Sequence, residues 1–356
     1  MANRDPSPTD RLVRLLLEQA EGCDRLGSPF TAELLRRVAA DVGSGGPSAV
    51  VLAGHELDPG PAALGLRLVG TIHRLVLAGE APDLAAHYPS TGGDADVGAA
   101  WPFVADLMTS RLDDLRAGLL SPPQTNEVGR AAALVGGLLH VVDRFPLPVR
   151  LHEIGASGGL NLRADHFRIE SQNGVGWGPP DSPVVLPDAW QGARPPVSAP
   201  LRVVERSGCD VSPIDATTRA GELLLSSYVW PDQTARFERL RGAIDVARRV
   251  PATVVTQGAG SYVQSLELRL GTVLVLWHSV MWQYLDHAER AGIEGRLEEM
   301  GAAASEDSPL AHLLLEPRRR RADGTFDFLV VLRTWPGGDE RVLATTVGHG
   351  LPVTWE

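Results

Sequence analysis

The chain has 356 residues, more than one compact core commonly needs, so one large domain with an appendage or two domains is expected. An apolar fraction of 44% supports a sizeable core, and a net charge of -11 excludes a general binder of nucleic acid or anionic membrane. All 33 basic residues are arginine, which excludes a lysine Schiff base, a pyridoxal phosphate aldimine and a P-loop.

Cys23 and Cys209 are the only cysteines and give neither a metal spacing nor a disulfide framework. The polar start MANRDPSPTD has no secretory character, and runs such as Thr272–Trp277 are too short to span a bilayer. A cytoplasmic protein without membrane partner is expected.

From Asp10 to about Phe145 the chain reads as helices. Leu12, Leu15, Leu16 and Ala20 share one face, as do Met108, Leu112, Leu115 and Leu119. A further helix is expected from near Asn126, with Leu134, Val135, Leu138 and Val142 on its stripe. Turn-rich breaks at 43–47, 58–61 and 90–93 separate these segments. Residues 1–145 are therefore expected to form an all-helical module.

The texture changes at Pro146. Short apolar runs at 149–154, 201–204, 253–255, 272–277 and 313–315 alternate with helical stretches, clearest at 234–248 and 288–300, which indicates a mostly parallel α/β sheet over 146–356. The runs 326–332 and 342–347, joined by a turn at 336–339, predict an antiparallel terminal hairpin. Residues 172–200 are rich in Gly and Pro and read as an insertion or lid.

The chemistry-bearing stretch is Leu151-His-Glu153-Ile-Gly155-Ala-Ser157-Gly158-Gly159-Leu160-Asn161. An acidic residue closes a strand, and small residues then turn into a helix whose first N–H groups face a ligand. Such a turn suits a dinucleotide pyrophosphate, or the amino-acid and ribose parts of S-adenosylmethionine. Ser157 breaks the dinucleotide pattern, and Glu153, two residues before Gly155, fits the methyl donor better. Asp210 follows a second strand, where a carboxylate can take ribose hydroxyls, and its distance from Gly155 is absorbed by the insertion. A third strand delivers His278 and Ser279 at its carboxyl end, with Trp282, Gln283 and Tyr284 directly after.

These stretches, with Gln124-Thr-Asn126-Glu127-Val-Gly-Arg130 and Tyr228-Val-Trp230-Pro-Asp-Gln233, resemble an uncharacterised bacterial family, common in actinobacteria. It couples an N-terminal helical region to a class I S-adenosylmethionine-dependent methyltransferase-like domain. The resemblance implies a Rossmann-like methyltransferase sheet with an N-terminal all-helical cap. It also implies a donor site of Glu153, Gly155, Ser157, Gly159, Asn161, Asp210, Gln257 and Ser279. Gln257 stands where such enzymes often carry an acid for adenine, and an amide can both donate and accept there.

Methyl transfer is an in-line displacement, so the protein mainly aligns the nucleophile and excludes water. His278 is expected as base or acceptor-orienting group, Tyr284 as orienting donor and Asn126 as a further catalytic residue. Gln124, Glu127, Arg130 and Trp230 are expected to line the acceptor site between cap and sheet, with Arg130 clamping a carboxylate. The capping reading of Asn126 is that it starts its helix. No metal is expected, since the ten histidines lack ligand spacing, and the acceptor is expected to be a small molecule. Two other uses of the fold are a non-methylating reaction of the donor, such as cyclisation to an azetidine, and a non-catalytic ligand-binding protein. Gly155-Ala-Ser157-Gly-Gly159 also matches the hydrolase elbow, with His278 or His349 as base, but that leaves Glu153 and Asp210 unexplained.

Overall fold

A computed structural model describes residues 7–60, 63–120, 123, 125–172, 174, 176–320 and 324–356. The expected site residue Gln124 lies outside the described residues. The chain divides into two compact units, Met1–Thr125 with Glu222–Phe237, and Asn126–Gly221 with Glu238–Glu356.

The first unit holds α1 (Pro8–Arg25), α2 (Pro29–Gly43), α3 (Pro47–Leu52), α4 (Leu64–Leu77), α5 (Pro82–Ala85), α6 (Val97–Ser110) and α7 (Leu112–Leu119). Proline opens the first turn of α1, α2, α3 and α5, where its missing N–H costs nothing. Ser7 and Asp10 form a capping box on α1, and Leu12, Leu16 and Ala20 face the core as their spacing predicts. The apolar face from Met108 to Leu119 is split between α6 and α7, because Arg111 leaves helical geometry at φ -120° and bonds Asp114 and Glu80. Asp232 accepts the Phe30 N–H at 2.9 Å and the Ser28 hydroxyl, capping α2.

The second unit begins with α8 (Ala131–Arg144) and β1 (Val149–Ile154). There follow β2 (Arg168–Ser171), β3 (Gly176–Trp177), β4 (Val185–Gly192) and β5 (Val203–Asp210). Next come α9 (Arg219–Ser227) and α10 (Thr234–Ala247), whose intervening residues belong to the helical unit. The chain then forms β6 (Thr253–Thr256), α11 (Ala259–Gln264), β7 (Val273–Ser279), α12 (His287–Ala303), β8 (Leu310–Arg319), β9 (Phe326–Trp335), β10 (Glu340–Thr346) and β11 (Val353–Trp355).

All strands join one 11-stranded sheet in the order β3-β2-β4-β11-β10-β9-β8-β7-β1-β5-β6. The run β6-β5-β1-β7-β8 is parallel throughout. After β1 the chain moves outward to β5 and β6, then returns across β1 to β7 and β8, so the strand order reverses between β1 and β7. Open α/β sheets bind ligands beyond the carboxyl ends of the strands at such a reversal. The expected hairpin is present as β9 and β10, antiparallel.

Two expectations change. Residues 172–200 are not a separate lid, since β3 and β4 within them extend the same sheet. The unit boundary falls at 125/126 rather than 145/146, because α8 lies on the sheet: a Cβ on Gly136 would sit 2.0 Å from the Trp355 ring and one on Gly137 would sit 2.5 Å from Leu313. Only glycine permits that approach.

Strand alternation sorts the sheet's side chains. Glu153 pairs in register with Trp277, which pairs with Leu313, so these three share the face that α8 covers. Ile154, Leu274, Leu276 and Leu310 point the other way, into a core closed by Tyr262 and Val263 of α11 and by Ile293, Leu297 and Met300 of α12. Among the described residues, no helix is long and apolar enough to cross a membrane.

Candidate functional site

The turn after β1 is built by three residues in the left-handed region: Gly155 at φ +68°, Ser157 at +51° and Gly159 at +63°. Gly155 is exposed, whereas residues 156–160 are buried. A side chain at Gly159 would meet Val254 Cγ2 at 2.7 Å, which explains that glycine twice over. Ser157 tolerates its conformation because its N–H donates to the Asp210 carboxylate at 2.9 Å, and its carbonyl accepts the Ile214 N–H at 3.2 Å.

Asp210, expected on the ribose, therefore already has a structural task. Its second oxygen accepts the Ser212 N–H at 2.9 Å, and its carbonyl accepts the Gln257 N–H at 3.0 Å. One lone pair on each carboxylate oxygen remains for a ligand. Asp210→Ala removes both carboxylate bonds and is expected to lower stability by about 1–3 kcal/mol. Urea unfolding measures this, and an unchanged midpoint removes Asp210 from the turn's support.

The segment 126–130 packs against the same turn. The Asn126 carboxamide oxygen accepts the Leu160 N–H at 2.9 Å, and Asn161 Nδ2 donates to the Glu127 carbonyl at 3.2 Å. Asn126 thus caps the 3-10 helix Leu160–His166 that follows the glycine turn, rather than starting its own helix. Glu127 turns away: one oxygen accepts the Gly129 N–H at 3.1 Å, and the other lies 3.2 Å from His349 Nδ1. Arg130 donates from Nε to the Gly348 carbonyl at 3.1 Å and from Nη1 to the Ser279 carbonyl at 3.3 Å. In the sequence the 347–350 loop enters only through His349, the alternative base for Ser157, whereas here it holds Glu127 and Arg130.

Glu153 is 2% exposed on the face beneath α8. Burial pushes its carboxyl up to about 8, against the lowering effects of the Trp277 indole, Arg130 and Arg163. Its Oε2 and the Asn161 Oδ1 are buried acceptors without a hydrogen-bond partner among the described residues.

His278 reaches the same carboxyl edge on the face opposite Glu153. It is 1% exposed, and both ring nitrogens are engaged: Nδ1 lies 2.9 Å from Glu316 Oε1, and Nε2 lies 3.0 Å from His312 Nε2. Trp282 stacks on it at a centroid distance of 4.8 Å. His278, expected as base or acceptor-orienting group, is the middle member of a Glu316–His278–His312 line. Two residues of β8 four apart on one face, His312 and Glu316, were the available signal for it.

Tyr284 is 71% exposed, and Ser279 is taken by Arg130. Gln257 is half-buried after β6, and Trp230 packs against the core of the helical unit.

Residues 13–355 match the DUF2332 family, described as an uncharacterized protein conserved in bacteria, and the chain belongs to that family. No curated protein and no solved structure matches it.

Proposed function

We propose that this protein is a Rossmann-like S-adenosylmethionine-dependent transferase that methylates a small-molecule acceptor. The observation that carries this reading is the exposed Gly155. It opens a left-handed turn at the carboxyl end of β1, where the strand order reverses.

The residues present fit the donor in kind. Glu153 Oε2 and Asn161 Oδ1 are buried oxygens without a hydrogen-bond partner among the described residues, and a cationic amine would supply donors to both once Glu153 has released its proton. One obstacle must move. Met281 narrows one side of the approach to Gly155, with its Cβ and Cγ each 3.0 Å from where a Gly155 Cβ would stand.

When bound, the sulfonium supplies an electrophilic methyl carbon. The chain's own residues then orient and shield. The 155–159 backbone bears against the donor, Asp210 offers its free lone pairs to hydroxyls, and the Gln257 amide is the adenine partner. Asn126 fixes the end of the turn through the Leu160 N–H, and Arg130 holds the end of β7 through the Ser279 carbonyl. Glu153 holds a proton at neutral pH and gives it up when an ammonium group approaches, because the nearby cation favours its charged form.

Isothermal calorimetry with S-adenosylmethionine and S-adenosylhomocysteine tests the reading. Binding of both is expected, with proton release visible as a dependence of the heat on buffer ionisation enthalpy at pH 7. Binding of neither overturns it. Donor consumption without a methylated product would instead favour a non-methylating reaction.

A further inference from the structure

Glu316 lies in β8, outside the glycine turn, yet its Oε1 gathers three donors that bear on that turn. It accepts from His278 Nδ1 at 2.9 Å, from the Met281 N–H at 3.0 Å and from the Trp282 N–H at 3.2 Å. The chain between them is strained: Val280, a β-branched residue, sits at φ +52°. Trp282 covers the His278 ring with an interplanar angle of 18°, and Met281 rests on Gly155. At 3.0 Å, only one proton fits between the Nε2 atoms of His278 and His312, so the line also fixes the His278 ring from its far side.

We propose that Glu316 is a positioning residue of the glycine-turn site: its carboxylate latches the strained Val280–Trp282 turn so that Met281 stands against one side of Gly155, and a ligand occupying that side must break the latch. The inference rests on the proposed donor site for its ligand, but the latch itself is tested without any ligand.

The charge state suits the task. Burial raises the Glu316 carboxyl, but the His278 bond and charge and the two N–H groups outweigh burial and leave it below the ordinary value, so the latch is ionised at neutral pH. Hydrogen bonds to a charged acceptor are about twice as strong as neutral ones. The stored backbone strain works in the opposite direction, favouring release.

Two substitutions should therefore act with opposite signs. Glu316→Gln keeps the shape and an acceptor oxygen but loses the charge, which weakens the latch. Val280→Gly removes the strain, since glycine adopts positive φ freely, and so favours the closed turn. Hydrogen exchange at the Met281 and Trp282 amides in the ligand-free chain is expected to be about tenfold faster in Glu316→Gln and about threefold slower in Val280→Gly. S-adenosylhomocysteine, used as probe, is expected to bind more tightly to the first variant and more weakly to the second.

Unchanged exchange in Glu316→Gln, or shifts of the same sign in both variants, overturns the latch. So does equal probe affinity across wild type and variants that all bind it. If exchange moves with opposite signs but wild type binds no probe, Glu316 still positions Met281 and the donor reading alone falls.

Discussion

Replacing Glu153 by glutamine is expected to remove a pH dependence of about 4–5 kcal/mol from the folding stability of this chain. Burial dominates the elevation of the Glu153 carboxyl from an ordinary 4.5 to about 8, and Asp210 adds to it, while Trp277, Arg130 and Arg163 oppose it. The folded state thus holds a proton that the unfolded chain releases more readily. The contribution is fully present below pH 4.5 and is lost as pH rises through about 8. Each tenfold gain in proton affinity is worth about 1.4 kcal/mol, which sets the size of the effect. The difference between wild-type and Glu153→Gln stability, measured by urea unfolding from pH 5 to pH 9, should therefore change steadily in favour of the variant. Parallel curves would show that Glu153 ionises as easily in the fold as in water.

Gly159→Val should break the turn itself. A valine at φ +63° incurs the left-handed penalty, about 1–2 kcal/mol, and its Cβ would lie 2.7 Å from Val254 Cγ2 and 3.3 Å from Leu162 Cδ1. The crowding also disturbs the bond from Arg163 Nη1 to the Gly159 carbonyl at 2.7 Å. A loss of about 3 kcal/mol is expected, together with loss of S-adenosylhomocysteine binding at temperatures where the variant stays folded. Gly271→Ala is the control, because φ is +75° there but nothing lies within 4 Å, so the conformational penalty acts alone. If Gly159→Val bound the ligand normally, the turn would not be where the ligand sits.

Much of this arrangement is legible in the sequence where local rules and burial agree. The apolar run at 272–277 is a central strand because both of its faces are covered, and the Leu12, Leu16 and Ala20 spacing is a buried helix face. The glycines at 155 and 159 mark left-handed backbone directly.

Other features could not be read locally. β4 contains Pro187 and Gly192 and only alternates loosely between apolar and polar residues, so its pairing with β2 and β11 depends on partners distant in sequence. β5 carries Glu205, Arg206, Ser207 and Gly208 through a strand, because Arg150 of the neighbouring strand bonds Glu205 at 2.7 Å. Without that partner, the same run reads as the end of a strand.

The same limit explains the site. The His278 position at a strand's carboxyl end was visible, but which face it occupies depends on register with β1 and β8. That register sets it against Glu316 and His312 instead of beside Glu153. Asn126 was expected near the turn, and its bond to Leu160 is a contact between residues 34 apart that no periodicity encodes.

The most direct measurement is a crystal structure of the chain grown with S-adenosylhomocysteine. The compound is expected against Gly155, with its amine near Glu153, its ribose facing Asp210 and Met281 moved from its ligand-free position. Density showing Met281 still packed on Gly155, with the compound absent or bound elsewhere, would contradict the assignment.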